Sequence, residues 1–222
     1  MSDAVNRRRA YHSPRRREQA AATRAAILAA AQRLFERQGY AATTMAAIAR
    51  EAGVALKTVY LAFETKAGVL RALWHLLLRG DTADAPVAER DWYREVLDET
   101  DPERQLRLNA HNGRVVKQRI GAVIEVIRAA APADPDIGAL WKRIQADFHA
   151  NQGAIVARLE EKSALHAALD AERATDILWT INHPSVWQLL VVERGWSPEQ
   201  YERWCADTMC AQLLARPARA PR

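Results

Sequence analysis

Apolar positions recur at helical spacing along most of the chain. The most informative stretch runs from Met45 to Phe63, MAAIAREAGVALKTVYLAF. Ile48, Ala49 and Ala52 form one apolar face of a short helix. Gly53 follows at once, where a helix of this length needs a left-handed stop that glycine takes at little cost. Val54 plugs the turn. Val59 and Phe63 restart the stripe, while Lys57, Thr58, Tyr60 and Leu61 point elsewhere. The pattern predicts two short helices around a sharp turn, with the small Ala49 where they cross. A helix-turn-helix has this form: a buried elbow holds its second helix outward to enter the DNA major groove. An ordinary helical hairpin with a surface helix also has it, so the flanks decide.

On one side, Ile27, Ala30, Ala31, Leu34 and Phe35 predict an amphipathic helix from about Gln19 to Arg37 that ends near Gly39-Tyr40. Thr43-Thr44 offers the second helix a hydroxyl cap. On the other side, Thr65-Lys66 starts a fourth helix with Val69, Leu70, Leu73 and Trp74 as its stripe. A three-helix core followed by a connecting helix suits a small DNA-binding domain.

Asp81 to Arg90 reads as a polar linker containing Pro86, and Trp92-Tyr93 opens a short helix broken near Asp101-Pro102. Long helices follow. Asp101-Pro102-Glu103 and Asp134-Pro135-Asp136 each combine a cap, a first-turn proline and an acidic start. Leu106, Leu108, Val115, Val116, Ile120, Val123, Ile124 and Ile127 supply the face of one helix; Ile137 through Leu159 supply the next. Asp170-Ala171-Glu172 and Ser197-Pro198-Glu199-Gln200 open the last two. His183-Pro184 interrupts the first of these. Trp179, Trp187, Leu190 and Trp204 exceed what a single buried stripe needs, which suggests a second covered face.

Composition adds an all-α class, with Pro and Gly sparse between periodic segments. The net charge of +5 is uneven: residues 1–80 carry 14 Lys+Arg against 5 Asp+Glu, the remainder 18 against 22. A basic head and an acidic body suit a protein whose head meets nucleic acid. Residues 1–17, with Arg7, Arg8, Arg9, Arg15, Arg16 and Arg17, are expected to be a disordered arm along the DNA backbone or simply a solvated tail. Cys205 and Cys210 are the only cysteines, and their spacing on one helix disfavours a bond between them, in keeping with a reducing cytoplasm. No run is long and apolar enough to span a membrane. The motifs of hydrolases, phosphate loops and metal sites are missing, so an enzyme and a metal sensor are both disfavoured, and no cofactor is expected.

The first helix ending in F-x-x-x-G-Y, the T-T pair, I-A-x-x-A-G-V and T-V-Y-x-x-F-x-x-K together resemble the N-terminal domain of the TetR family of bacterial transcription regulators. The resemblance is close over roughly the first 80 residues and architectural beyond them. It implies a helix-turn-helix DNA-binding domain over 18–80, an antiparallel helical ligand-binding and dimerisation domain over 81–216, and a tail over 217–222. By position, it implies phosphate contacts from Thr44, Tyr60 and Lys66 and groove-facing positions at Lys57, Thr58 and Leu61. Tyr60 as a rim residue of the small core stays open. Leu61 and Ala62 depart from the bulkier or polar residues common in the family, which leaves few base-specific hydrogen bonds for this helix.

The resemblance also implies a homodimer on a palindromic operator, paired through the last two helices, and release from DNA by a small lipophilic or aromatic effector, as a repressor works. Trp92, His111, Arg119, Trp141, Phe148, Trp179, His183 and Trp187 are the candidate effector-binding residues, with the alternative that these are ordinary core and interface side chains. A DNA-binding dimer without a small-molecule ligand, controlled by a protein partner or coating DNA, is the competing function.

Overall fold

The computed structural model describes residues 14–80 and 87–215. The arginine arm up to residue 13, linker residues 81–86 and the tail from 216 lie outside the described residues. The described residues are helical nearly throughout, without a named strand. They divide into two compact units on either side of Val69–Leu70. That boundary falls inside a helix, whereas the linker after Gly80 was the expected place.

The first unit is built from α1 (Pro14–Ala42), α2 (Met45–Glu51), α3 (Leu56–Phe63) and the start of α4 (Lys66–Arg79). α1 begins at Pro14, so residues 14–17 are helical rather than part of a disordered arm. Proline pre-sets φ for a first turn, and the three arginines after it are good helix formers. Near its other end α1 kinks at Gly39, whose φ of 75° leaves the helical region. The kink lets Thr43 tuck in fully buried, its hydroxyl donating to the Gly39 carbonyl at 2.8 Å. The expected stripe is buried as a set: Ile27, Ala30, Ala31, Leu34 and Phe35 on α1, Ile48 and Ala49 on α2, Val59 and Phe63 on α3.

The second unit holds the rest of α4, α5 (Asp91–Asp98), α6 (Pro102–Ala130), α7 (Pro135–Glu161), α8 (Ala171–Ile181), α9 (Pro184–Trp187) and α10 (Pro198–Leu213). Caps set the helix starts. The side chains of Asp101, Asp134 and Asp170 accept main-chain N–H bonds, and Ser197 with Gln200 closes a capping box. The core joins Tyr93 and Val96, Leu106 and Ala110, Ile155, Val156 and Leu159, Leu178, and Tyr201, Cys205 and Met209. The expected break at His183-Pro184 is present, and the chain leaves α9 as a wide π-helical turn, Gln188–Glu193.

One expectation needs correcting. Val115 and Val116 are only partly buried, and Lys117 points inward instead. The buried stripe of α6 is Leu106, Ala110, Ile120, Ile124 and Ile127. Its alternating steps of four and three residues pass through Gly113 and Lys117, not through the valines.

Candidate functional site

The elbow of the first unit presents α3. Thr44 caps α2, its hydroxyl oxygen accepting the Ala47 N–H at 3.1 Å while the residue stays exposed. α2 ends in a left-handed Gly53, φ 66°, and the Val54 N–H reaches back to the Ala49 carbonyl. α3 is held at its far end from α1. The Arg24 guanidinium donates to the Ala62 carbonyl at 2.8 Å and lies 4.2 Å over the Phe63 ring. Arg33 on α1 pairs with Glu51 on α2 at 3.0 Å. The consequence is a rigid platform on which Lys57 is exposed, Tyr60 is 48% exposed, Leu61 is 77% exposed and Thr58 is partly buried. Tyr60 is therefore not packed into the core.

Lys66 opens α4. Its ammonium donates to the Tyr40 carbonyl at 2.8 Å and sits 4.1 Å over the Tyr40 ring. The residue that the resemblance implies for phosphate contact thus also ties the kinked end of α1. An ammonium has three donors. Neither the Arg24 nor the Tyr40 tether was visible in the apolar pattern, because each bonds to a main-chain carbonyl and a ring.

In the second unit the eight candidate effector residues separate. Phe148, Trp179 and His183 converge: the His183 ring centroid lies 4.8 Å from Trp179 and 6.2 Å from Phe148. His183 Nε2 shares a hydrogen with Gln145 Oε1 at 2.9 Å. Burial, then the nearby Lys117 ammonium, hold the His183 imidazole below its usual range. Trp141 on α7 is partly buried.

The others go elsewhere. His111 is an exposed partner of Glu202 on α10 at 3.2 Å, beside Arg114. Trp92 stacks edge-on against Tyr93, and its carbonyl accepts from Asn112. Trp187 is buried against Tyr201 in the unit's own core, centroids 5.0 Å apart. Arg119 reaches the end of α4 and donates to the Leu78 carbonyl at 3.4 Å.

Sequence reading missed the most distinctive feature, a polar cluster inside the helical body. The Lys117 ammonium is 4% exposed and donates to Asn182 Oδ1 at 2.6 Å. Asn182 Nδ2 and Asn109 Nδ2 both donate to Gln152 Oε1, at 3.4 and 3.1 Å. The Tyr201 ring lies 5.6 Å from the ammonium. Burial pushes the Lys117 pKa down to about 8. Among the described residues no carboxylate pairs with it. The signal was available: Lys117 and Gln152 fall on the buried stripes of α6 and α7, where an apolar residue is the default, and Asn182 caps the end of α8.

Two further absences concern the described residues. No group of His, Cys, Asp or Glu is placed to hold a metal ion, and no helix is long and apolar enough to cross a membrane.

Comparison with known proteins agrees with the elbow and with the helical body. The model of bacterial regulatory proteins of the tetR family matches residues 27–73. The HTH-type transcriptional regulator TtgR of Pseudomonas putida is 32% identical over 157 residues, spanning 68% of this chain and 72% of that protein. The probable HTH-type transcriptional regulator ArpR of Pseudomonas putida is 31% identical over the same length. Among solved structures, the SmeT–triclosan complex superposes with a TM-score of 0.69 at 19% identity, over 90% of this chain and 98% of that one. NalD of Pseudomonas aeruginosa, the secondary repressor of the MexAB-OprM multidrug efflux pump, gives 0.68 at 21% identity, over 88% and 97%. The chain belongs to the TetR family of bacterial transcriptional regulators, DNA-binding proteins built on this helix-turn-helix and not enzymes.

Proposed function

We propose that this regulator is a homodimeric repressor that reads a palindromic operator through α3 and leaves it when a small effector enters the helical body. The observation that carries the reading is the platform itself. α3 stands exposed through Lys57, Tyr60 and Leu61, while Arg24 holds its C-terminal end and Lys66, at the start of α4, ties back to Tyr40 on α1. Lys57, Thr58 and Leu61 face the groove; Thr44, Tyr60 and Lys66 hold phosphates. Leu61 offers a thymine methyl contact rather than a hydrogen bond.

A palindrome needs two copies of α3 about one helical turn apart. α8 and α10 supply a face for the pairing. They form a shallow groove lined by Arg173, Asp176, Ile177, Thr180, Ile181, Thr208 and Gln212. Phe148, Trp179 and His183 are the aromatic part of the effector site, and structures of the same fold hold triclosan and choline. α4 is one continuous helix from Lys66 to Arg79, and Arg119 grips its C-terminal end. Effector binding pulls on that end, and a coupling of about 1–3 kcal/mol lowers operator affinity by one to two decades. The protein acts in the cytoplasm, where its DNA is.

The test is a fluorescence-anisotropy titration against the DNA upstream of its own coding region and against scrambled DNA at physiological salt. Selective binding with two chains per site supports the reading. Equal, salt-sensitive binding to both DNAs overturns it in favour of a DNA-coating protein.

A further inference from the structure

We propose that the polar cluster around Lys117 is an anion-receiving site and that the effector is an aromatic carboxylate. The proposal rests on the effector-responsive reading above and names the class of molecule. Lys117 is a cation in the interior whose hydrogen-bond partner is the Asn182 amide, with the Tyr201 ring 5.6 Å away and no carboxylate paired to it among the described residues. Burying an ammonium costs several kcal/mol unless an anion compensates it, and a helix stripe with no use for the charge is better served by an apolar residue.

The surrounding groups do not supply that anion. Cys205 is close, but burial raises its pKa and keeps the thiol protonated. Asp176 faces His149 at 2.9 Å, and Glu125 faces Arg128 at 2.7 Å. The Asn182 and Gln152 carbonyl oxygens, which could have served a neutral hydroxyl, are already taken by Lys117, Asn109 and Asn182.

What remains open is donors. Lys117 uses one of three N–H bonds on Asn182. The side-chain N–H groups of Gln145 and Trp179 are buried without an acceptor among the described residues. Both adjoin His183, the first through its hydrogen bond and the second through ring contact. A positive charge plus unfilled N–H donors matches a carboxylate, which accepts about four hydrogen bonds and donates none. The partly buried rings of Phe148, Trp179 and His183 give a flat apolar body its contact. Gly113 is part of the cradle: a Cβ there would stand 2.5 Å from Asn182 Oδ1 and 3.0 Å from the Lys117 ammonium.

The test uses matched probes, 1-naphthoate, 1-naphthamide and 1-naphthylmethylammonium, titrated into the full-length dimer by tryptophan fluorescence. The same probes are tested for release of operator DNA. Lys117→Gln, which keeps an N–H for Asn182 without the charge, and Lys117→Met are run beside the wild type, with melting curves to confirm folding. The expected result is naphthoate binding at least tenfold tighter than the amide, a preference that both variants abolish. Equal binding of acid and amide, or a preference untouched by the variants, overturns the anion site and leaves the effector reading standing. So does binding of the amide or the ammonium without the acid. If no probe of any charge binds or releases DNA, the carboxylate proposal fails. Failure of a broad panel of unrelated small molecules as well would remove the effector reading itself.

Discussion

A Cβ placed on Gly68 would stand 2.2 Å from the carbonyl oxygen of Phe63. The contact is between backbones, since α4 starts almost on top of the last turn of α3. Glu64 makes the corner in a positive φ of 62°, and Thr65 caps the new helix by accepting the Gly68 N–H. A methyl group cannot rotate out of the way, so α3 must shift. Gly68→Ala is expected to lower stability by more than 2 kcal/mol, roughly the larger range of core overpacking, and to abolish operator binding. Gly53→Ala is the control. Its φ is 66° but nothing lies within 4 Å of the added carbon, so only backbone strain of about 1–2 kcal/mol is expected. Melting curves of the two variants separate clash from strain.

The DNA face gives a second expectation. Lys57→Ala removes an exposed, groove-facing charge, so it should weaken binding to the operator more than binding to scrambled DNA. Lys66→Ala removes a charge that also holds the Tyr40 carbonyl. It should lower the melting temperature as well as the affinity, whereas Tyr60→Phe should lower affinity alone. A Tyr60→Phe, Lys66→Ala double variant that bound operator normally at moderate salt would overturn the phosphate assignments.

The elbow was legible in the sequence because its signals are local and redundant: a capping threonine, an apolar stripe, and a glycine at the left-handed turn between α2 and α3. The body was legible in its helix starts, where Asp-Pro and Ser-Pro caps stand out. Its interior was not. Val115 and Val116 read as core because they are apolar, yet the stripe through Ala110, Ile120 and Ile124 runs through Lys117. Following the period, not the residue type, would have found the buried ammonium. His111 and Arg119 looked like pocket residues in register, but their partners, Glu202 and the Leu78 carbonyl, lie far away in sequence. Only the packing of α10 and α4 against α6 decides their roles.

Lys117 carries a pH expectation whose sign follows from its environment. Burial lowers its folded pKa to about 8 from an ordinary 10.5. Between those values the unfolded chain binds more protons than the folded one, so stability from this group rises with pH. Below about pH 8 the full cost applies, ~3 kcal/mol; above 10.5 it is gone. Cys205, Tyr93 and Tyr201, all raised by burial, act in the opposite sense once their unfolded forms ionise, from about pH 9 upward. The comparison of wild type with Lys117→Met isolates the lysine. The variant should be more stable at pH 7, and its advantage should shrink as pH climbs from 8 to 10. A constant difference in urea midpoints across that range would show that the ammonium is not desolvated.

Arg119 offers the sharpest separation of binding from response. Its guanidinium wraps the end of α4: a Cβ on Gly80 would meet Nη1 at 2.2 Å, and Nη2 donates to the Leu78 carbonyl. The residue lies on α6 two positions after Lys117, so the two side chains leave the helix on different sides, one toward the buried cluster and one toward α4. α6 is then the element through which an occupant near Lys117 can act on α4. Arg119→Met keeps much of the packing and removes the grip. We expect it to leave effector affinity within about twofold and operator affinity within a few-fold, while cutting the effector's ability to release DNA by tenfold or more, equivalent to about 1.4 kcal/mol of coupling. Measuring operator affinity with and without saturating effector, in wild type and variant, gives that coupling directly. An unchanged ratio would move the transmission away from α6 and onto another contact of α4.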